Sequence, residues 1–175
     1  MPGDFVATET AIRQIHARYV DAVWRQDAAL VGTLFAPDGE WRVGGQVMRG
    51  PAEIEHFLRG AFKQFKRLLM TFRTPIVHLT DEGAVSRTYV TENSQYADGR
   101  PYGPVGIYFD RFVEVDGKWL FKWRMFQTHY SGPPNFDGGD WYEVTDYGPP
   151  PGMPPLDEKT YDRSGVGAKA IRGGE

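Results

Sequence analysis

The chain contains no cysteine. Disulfides, thiolate nucleophiles and cysteine-ligated zinc or iron–sulfur centres are therefore excluded. No apolar run approaches the roughly 20 residues of a membrane-spanning helix. The first residues, Met1-Pro2-Gly3-Asp4-Phe5, carry neither the basic start nor the apolar core of a secretion signal. A cytoplasmic protein with no membrane partner is the expectation. Charge of one sign is also missing. Lys and Arg number 20 against 23 Asp and Glu, a formal −3, with a pI near 5.8. Nucleic-acid binding thus has no electrostatic support. The basic residues Arg59, Lys63, Lys66, Arg67 and Arg73 read as a solvated face. His16, His56, His78 and His129 show no HxH, HxxxH or HxxE spacing, and no acidic array resembles an ion loop, so no metal is expected. Glycine-rich phosphate loops and nucleophile-elbow serines are missing too. His16 and His56 read as helix-surface residues, and His78 as a strand-end one.

What is present suits one domain. The 175 residues are 41% hydrophobic and 14% aromatic, enough for a core with rings left over to line a cavity or an interface. Apolar residues recur at helical spacing over 8–24, with Ile12, Ile15, Tyr19, Ala22 and Val23 on one face. A second helix is expected over 27–35 with Asp27 as its cap. A strand follows from Glu40-Trp41, then a Gly44-Gly45 turn. Pro51 opens a third helix over 51–66. Beyond it the period changes to two. Segments 70–80, 84–96, 105–115 and 119–130 alternate and are joined by Gly- and Asp-containing turns. Helices followed by a meander predict an α+β fold, a curved antiparallel sheet wrapped into a cone around the N-terminal helices. Residues 1–130 form this cone domain. Residues 131–175 form an arm rich in Pro, Gly and aromatic residues, with seven of the chain's 13 prolines. That arm is too apolar for a free tail, although its last ten residues read as disordered. Trp141 or Tyr142 is expected at the cavity mouth.

Strand parity nominates a site. On 119–130, Trp119, Phe121, Trp123, Met125, Gln127 and His129 share the face expected to be concave. Leu120, Lys122, Arg124, Phe126 and Tyr130 fall on the convex face, as a mixed apolar and basic partner surface. Tyr108 and Asp110 belong to the concave set of the neighbouring strand, and Glu92 to that of the next. Tyr19 lies on the buried face of helix one. These residues converge in one apolar cavity, where a carboxylate and tyrosines suit acid–base chemistry without a cofactor. Asp110 has a second reading as the partner of a backbone amide or an arginine at the sheet base.

The words Tyr-Val-Asp-Ala-Val-Trp-Arg-Gln-Asp (19–27), Leu-Phe-Ala-Pro-Asp-Gly-Glu-Trp (34–41) and Arg-Gly-Pro-Ala-Glu-Ile (49–54) resemble the SnoaL-like branch of the nuclear transport factor 2-like superfamily. So does the stretch Gly106-Ile-Tyr-Phe-Asp-Arg-Phe-Val-Glu-Val-Asp-Gly-Lys-Trp119. The pattern is similar to bile acid 7α-dehydratase and scytalone dehydratase over about residues 8–130. The resemblance implies a cone with its pocket at the open end, and a homodimer or homotrimer. It places Tyr19 at a catalytic tyrosine, Glu92 at a catalytic aspartate and Tyr108 at a pocket asparagine. Trp24 and Met70 stand where the dehydratases keep their aspartate and histidine.

The sequence therefore predicts a cofactor-independent lyase or isomerase acting on a hydrophobic aromatic or polycyclic small molecule by dehydration, retro-aldol cleavage or proton transfer. Glu92, Tyr19 and His129 are the expected catalytic residues. Tyr108, Asp110, Gln127, Trp24, Met70, Trp41 and Phe72 are expected to contact substrate. A non-catalytic ligand-binding or assembly protein is the alternative. An epoxide hydrolase ranks lower, because its Asp–Arg–Asp set would have to draw on Arg73 or Arg124, and parity puts Arg124 outside the cavity.

Overall fold

The computed structural model describes residues 4–143 and 145–161. Helix α1 is Phe5–Trp24. It begins a turn earlier than the periodicity predicts, because the Asp4 carboxylate accepts hydrogen bonds from the Val6 and Ala7 amides at 3.0 and 3.4 Å and so caps the helix. Its buried face carries Ile12, Ile15, His16, Tyr19, Ala22 and Val23. Asp27 caps the short helix α2, Ala28–Thr33, by accepting from the Leu30 amide at 3.0 Å.

Strands β1 (Phe35–Val43) and β2 (Gln46–Arg49) form a hairpin about Gly44 and Gly45. Both glycines have positive φ, 56° and 77°, the conformation this turn needs. Helix α3 is Gly50–Phe62. The strands that follow are β3 (Phe65–Arg67), β4 (Met70–Phe72), β5 (Ile76–Thr80), β6 (Gly83–Glu92), β7 (Ser94–Tyr96), β8 (Pro101–Tyr102), β9 (Val105–Val115), β10 (Lys118–Ser131) and β11 (Asp140–Trp141).

The main sheet has the order β2-β1-β10-β9-β6-β4, with β5 also paired to β6 and β11 to β10. It is mixed rather than wholly antiparallel: β1 runs parallel to β10. A small second sheet, β3-β7-β8, is held by packing of Phe65, Tyr96 and Tyr102, with ring centroids 4.7 to 5.9 Å apart. Helix α1 lies in the concave face. Among the described residues no helix is long and apolar enough to cross a membrane.

One irregularity decides which side chains face inward. Between β9 and β10 the register runs Phe121↔Phe112 and then Trp123↔Arg111, so Lys122 is an extra residue and the pleat inverts after it. Phe121 faces the core. So do Arg124 and Phe126, not Trp123, Met125 and Gln127. Three inner rows cross β6, β9 and β10: Ala84, Phe112 and Phe121; Ser86, Asp110 and Arg124; Thr88, Tyr108 and Phe126. The expected parity is corrected from the bulge onward, and the convex surface expected to hold Arg124 and Phe126 does not contain them.

The convex face instead carries Ile107, Phe109, Trp123 and Met125, and the C-terminal arm covers them with Tyr147 and Met153. Polar ties hold the strap to the sheet. Arg111 donates to the Pro154 carbonyl at 3.3 Å, the Trp123 indole to that of Leu156 at 3.2 Å, and Arg42 to that of Glu158 at 3.0 Å. The Gly45 amide donates to Thr160 Oγ1 at 2.7 Å. The arm thus docks on the back of the sheet rather than at a cavity mouth. Trp141 is 67% exposed and packs on Tyr130 and Phe136, while Tyr142 packs on Tyr161. The last ten residues, expected to be disordered, lie outside the described ones.

If the strap holds this face, truncation after Tyr142 uncovers the Phe109–Trp123–Met125 cluster. The thermal midpoint should fall and light scattering should show concentration-dependent association, as an exposed apolar patch predicts. An unchanged midpoint together with an unchanged mass would contradict the docking.

Candidate active site

A cavity of about 70 Å³ lies inside the cone, between α1, α3 and the sheet, and its lining includes Tyr19, Trp41, Phe57, Met70, Glu92 and Tyr108. Tyr19 comes from the buried face of α1 and Tyr108 from the inner row of β9. Their hydroxyls lie 3.4 Å apart in buried surroundings. Glu92 ends β6 opposite Met70 of β4, and its carboxylate accepts from the Ser94 hydroxyl at 3.4 Å. That hydroxyl accepts from the Leu69 amide at 3.1 Å, a relay that holds the carboxylate at the strand end. Burial, first of all, pushes the Tyr19 phenol well above its ordinary pKa. Neighbouring Tyr108 and the charge of Glu92 push the same way, and the charge of Arg124 opposes them. Tyr19 is therefore a neutral hydrogen-bond donor.

Behind the tyrosines lies a charged layer. Arg124 has no exposed surface, nor has Asp110, and Arg124 Nη1 is 3.1 Å from Asp110 Oδ1. The other carboxylate oxygen of Asp110 is 3.1 Å from His16 Nε2. The Arg124 Cζ sits 3.7 Å from the Tyr108 ring centroid, 4.2 Å from that of Tyr19 and 4.3 Å from that of Phe121. His16 is enclosed by Phe72, Phe112 and Phe121, at 5.6 to 5.8 Å between centroids. Burial, the largest influence, holds the His16 imidazole below its ordinary pKa, outweighing the hydrogen bond and charge of Asp110. The ring is then neutral, with Nε2–H donating to Asp110.

The nominated residues separate into groups. Tyr19, Glu92, Tyr108, Met70 and Trp41 line one cavity. Asp110 lies on the inner face but is engaged by His16 and Arg124, in line with its second reading. Gln127 is turned to the back of the sheet by the bulge, and its amide donates to the Tyr147 hydroxyl at 3.3 Å. His129 does not line the cavity either. It sits at a second register shift, between Thr128 and Tyr130, where its carbonyl accepts from the Tyr142 amide at 2.9 Å. Trp24 is 51% exposed and donates its indole N–H to the Met70 carbonyl at 2.8 Å. With Phe72 it lines an open groove outside α1 rather than the cavity.

Sequence reasoning missed His16 and Arg124. His16 was findable: it lies three residues before Tyr19 and four after Ile12, on the same helical face. Arg124 was hidden by the bulge, although an inward Asp110 calls for a cation. Arg124 is therefore inside the cone, contrary to the parity argument, but it does not line the cavity. Among the described residues no cluster of three or more His, Asp or Glu side chains could hold a metal ion.

A family model described as a SnoaL-like domain matches residues 4–125, well over half of the chain. A candidate scytalone dehydratase from Novosphingobium aromaticivorans is 20% identical with a TM-score of 0.70, covering 81% of this chain and 97% of its own. A hexachlorocyclohexane dehydrochlorinase, LinA type 2, is 13% identical with a TM-score of 0.69, covering 83% and 96%. The type 3 dehydrochlorinase from Novosphingobium barchaimii is 14% identical with a TM-score of 0.68, covering 79% and 97%. At these identities the likeness is one of fold. Comparison with curated proteins finds no match.

The neutral buried His16 has a consequence for pH. Its folded pKa is depressed, so below about pH 6.5 the unfolded chain binds a proton that the folded chain refuses. Stability is fully present above that pH and is lost as pH falls below it. His129, lowered by burial, acts in the same direction. The exposed carboxylates of Asp38, held low by Lys122, and Asp98, held low by the Arg100 amide and side chain, lose their contribution only at more acidic pH. His16→Gln should therefore flatten the stability profile below about pH 6.5, measured by urea unfolding. Equal profiles for His16→Gln and wild type would contradict a neutral His16.

Proposed function

The chain belongs to the SnoaL-like family, and on that premise we propose that it is a cofactor-independent lyase working by proton abstraction inside the cone. The observation that carries this reading is the pair of hydroxyls, Tyr19 and Tyr108, 3.4 Å apart at a mostly apolar cavity that Glu92 also lines.

The Glu92 carboxylate takes a proton from the carbon next to a substrate carbonyl. The electron pair moves onto the carbonyl oxygen, which accepts hydrogen bonds from Tyr19 and Tyr108 as its negative charge develops. When the electrons return, the bond from the β-carbon to a hydroxyl breaks. Glu92 hands its proton to that oxygen, and water leaves with a new C=C bond. The base is regenerated and no co-reactant is consumed. Gln127 and His129, set outside the cavity, have no part in these steps. Trp41 and Met70 supply apolar wall.

The cavity volume narrows the substrate class. Pockets for drug-sized ligands run to about 300–1,000 Å³, so about 70 Å³ favours a compact carbonyl compound over a polycyclic one. A larger substrate requires the ring walls at Trp41 and Phe57 to part. A second reading, a ligand-binding protein without catalysis, is favoured by one observation. The Trp24 indole N–H is tied to the Met70 carbonyl, and the resemblance implies that these two residues stand where the dehydratases keep their aspartate and histidine.

The test is elimination from a panel of small β-hydroxy ketones in deuterated water, followed by NMR. Glu92→Gln should keep the fold and lose about 10²-fold or more in turnover, the scale of acid–base catalysis. Tyr108→Phe should lose on the order of 10²- to 10³-fold, the scale of an oxyanion donor. Turnover should survive dialysis against EDTA. Near-wild-type turnover by Glu92→Gln would sink the assignment. No turnover or deuterium incorporation by wild type with any panel member, despite measurable binding, would favour the second reading.

A further inference from the structure

Arg124 is a cation without solvent and with few polar partners. All three guanidinium nitrogens lack a well-directed hydrogen bond, although Nη1 is 3.1 Å from Asp110 Oδ1. Its nearest neighbours are instead the faces of Tyr108 and Tyr19. These are the same two rings whose hydroxyls meet in the cavity. From these contacts we infer that Arg124, anchored by Asp110, is a positioning residue that polarises the Tyr19–Tyr108 pair toward donating its hydrogen bonds. The inference rests on the reading of those hydroxyls as oxyanion donors.

Three physical points carry it. A cation over an aromatic face draws on the ring's π density, and the effect grows where water is excluded. A phenol so polarised donates a stronger hydrogen bond and supports more charge on its own oxygen. The tyrosines meet charged and titratable groups from several elements. Arg124 approaches from β10 and Glu92 from β6, each tyrosine faces the other, and Asp110 with neutral His16 stands behind the guanidinium. Within this set Arg124 favours negative charge on Tyr19, and Glu92 with Tyr108 opposes it. Packing alone would not call for the pair, because an apolar replacement of a buried ion pair is often neutral or stabilising. The closed end of a cone otherwise filled with rings is an ordinary place for a leucine or a phenylalanine. An arginine there, in register beside Asp110 and against both site tyrosines, is explained by its charge.

The experiment replaces Tyr108 with a trifluorotyrosine, whose phenol ionises at lower pH than tyrosine, and follows its fluorine resonance through a pH titration. In the charge-balanced double variant Asp110→Asn/Arg124→Met the midpoint should rise by about one pH unit or more, a tenfold fall in the ionisation constant. A folded double variant with an unchanged midpoint overturns the inference. If that variant does not fold, Asp110→Asn alone serves. It leaves the guanidinium and removes its counter-charge, so the midpoint must move the other way, to lower pH. No shift there overturns the inference equally. The readout needs no substrate, which separates two failures. A fluorine shift with a fully active Glu92→Gln overturns the lyase reading and leaves Arg124 its role. No shift with an inactive Glu92→Gln does the reverse.

Discussion

A guanidinium with no exposed surface, 3.1 Å from a carboxylate equally buried, joins three parts of the cone. Arg124 belongs to β10 and Asp110 to β9, and His16 of α1 completes the set at 3.1 Å. Two opposite charges removed from water must keep each other. Deleting one partner of such a pair costs about 3–5 kcal/mol, because the survivor is left uncompensated. The pair therefore keeps Arg124 on the inward face of β10, beside Asp110. With Arg124 inward, Phe126 is inward two residues on, and Tyr108 stands beside it with ring centroids 4.9 Å apart. The position of the tyrosine hydroxyls follows from that row.

The same bulge that turns Arg124 inward turns Trp123 and Met125 outward. That leaves an apolar patch on the back of the sheet, and the C-terminal strap answers it with Tyr147 and Met153. Proline suits this segment. It limits the unfolded chain's freedom, so fixing an extended strap costs less entropy. It also donates no backbone hydrogen bond that docking would have to satisfy. The strap and the buried arginine are two outcomes of one extra residue at Lys122. One gives the inner face a charge, and the other gives the outer face a cover.

Periodicity made the helices, the hairpin at Gly44-Gly45 and the long strands legible, because each depends on local pattern and turn chemistry. Asp27 as a cap and Tyr19 on the buried helical face belong to that class. The parallel pairing of β1 with β10 was not legible, since it depends on where the hairpin joins the sheet. Strand parity beyond Phe121 was not legible either. Residues 119–126 carry large apolar side chains on both faces, so alternation alone cannot reveal a bulge. Gln127, His129, Arg124 and Phe126 were misplaced for this one reason. Glu92 and Tyr108 precede the bulge in the chain and lie on strands whose alternation is unbroken there. The strap's aromatic residues signalled docking, but the surface receiving them depended on the same hidden inversion.

On the proposed reading, the cavity bounded by Tyr19, Tyr108 and Glu92, rather than the open groove beside Trp24 and Phe72, is where this protein holds its small molecule. Crystallographic density for a small β-hydroxy ketone, or for a ligand retained through purification, tests this most directly. The ligand is expected inside the cone, with an oxygen within hydrogen-bond distance of both tyrosine hydroxyls and a carbon facing the Glu92 carboxylate. A ligand bound in the outer groove, with the cone cavity unchanged, would contradict that reading.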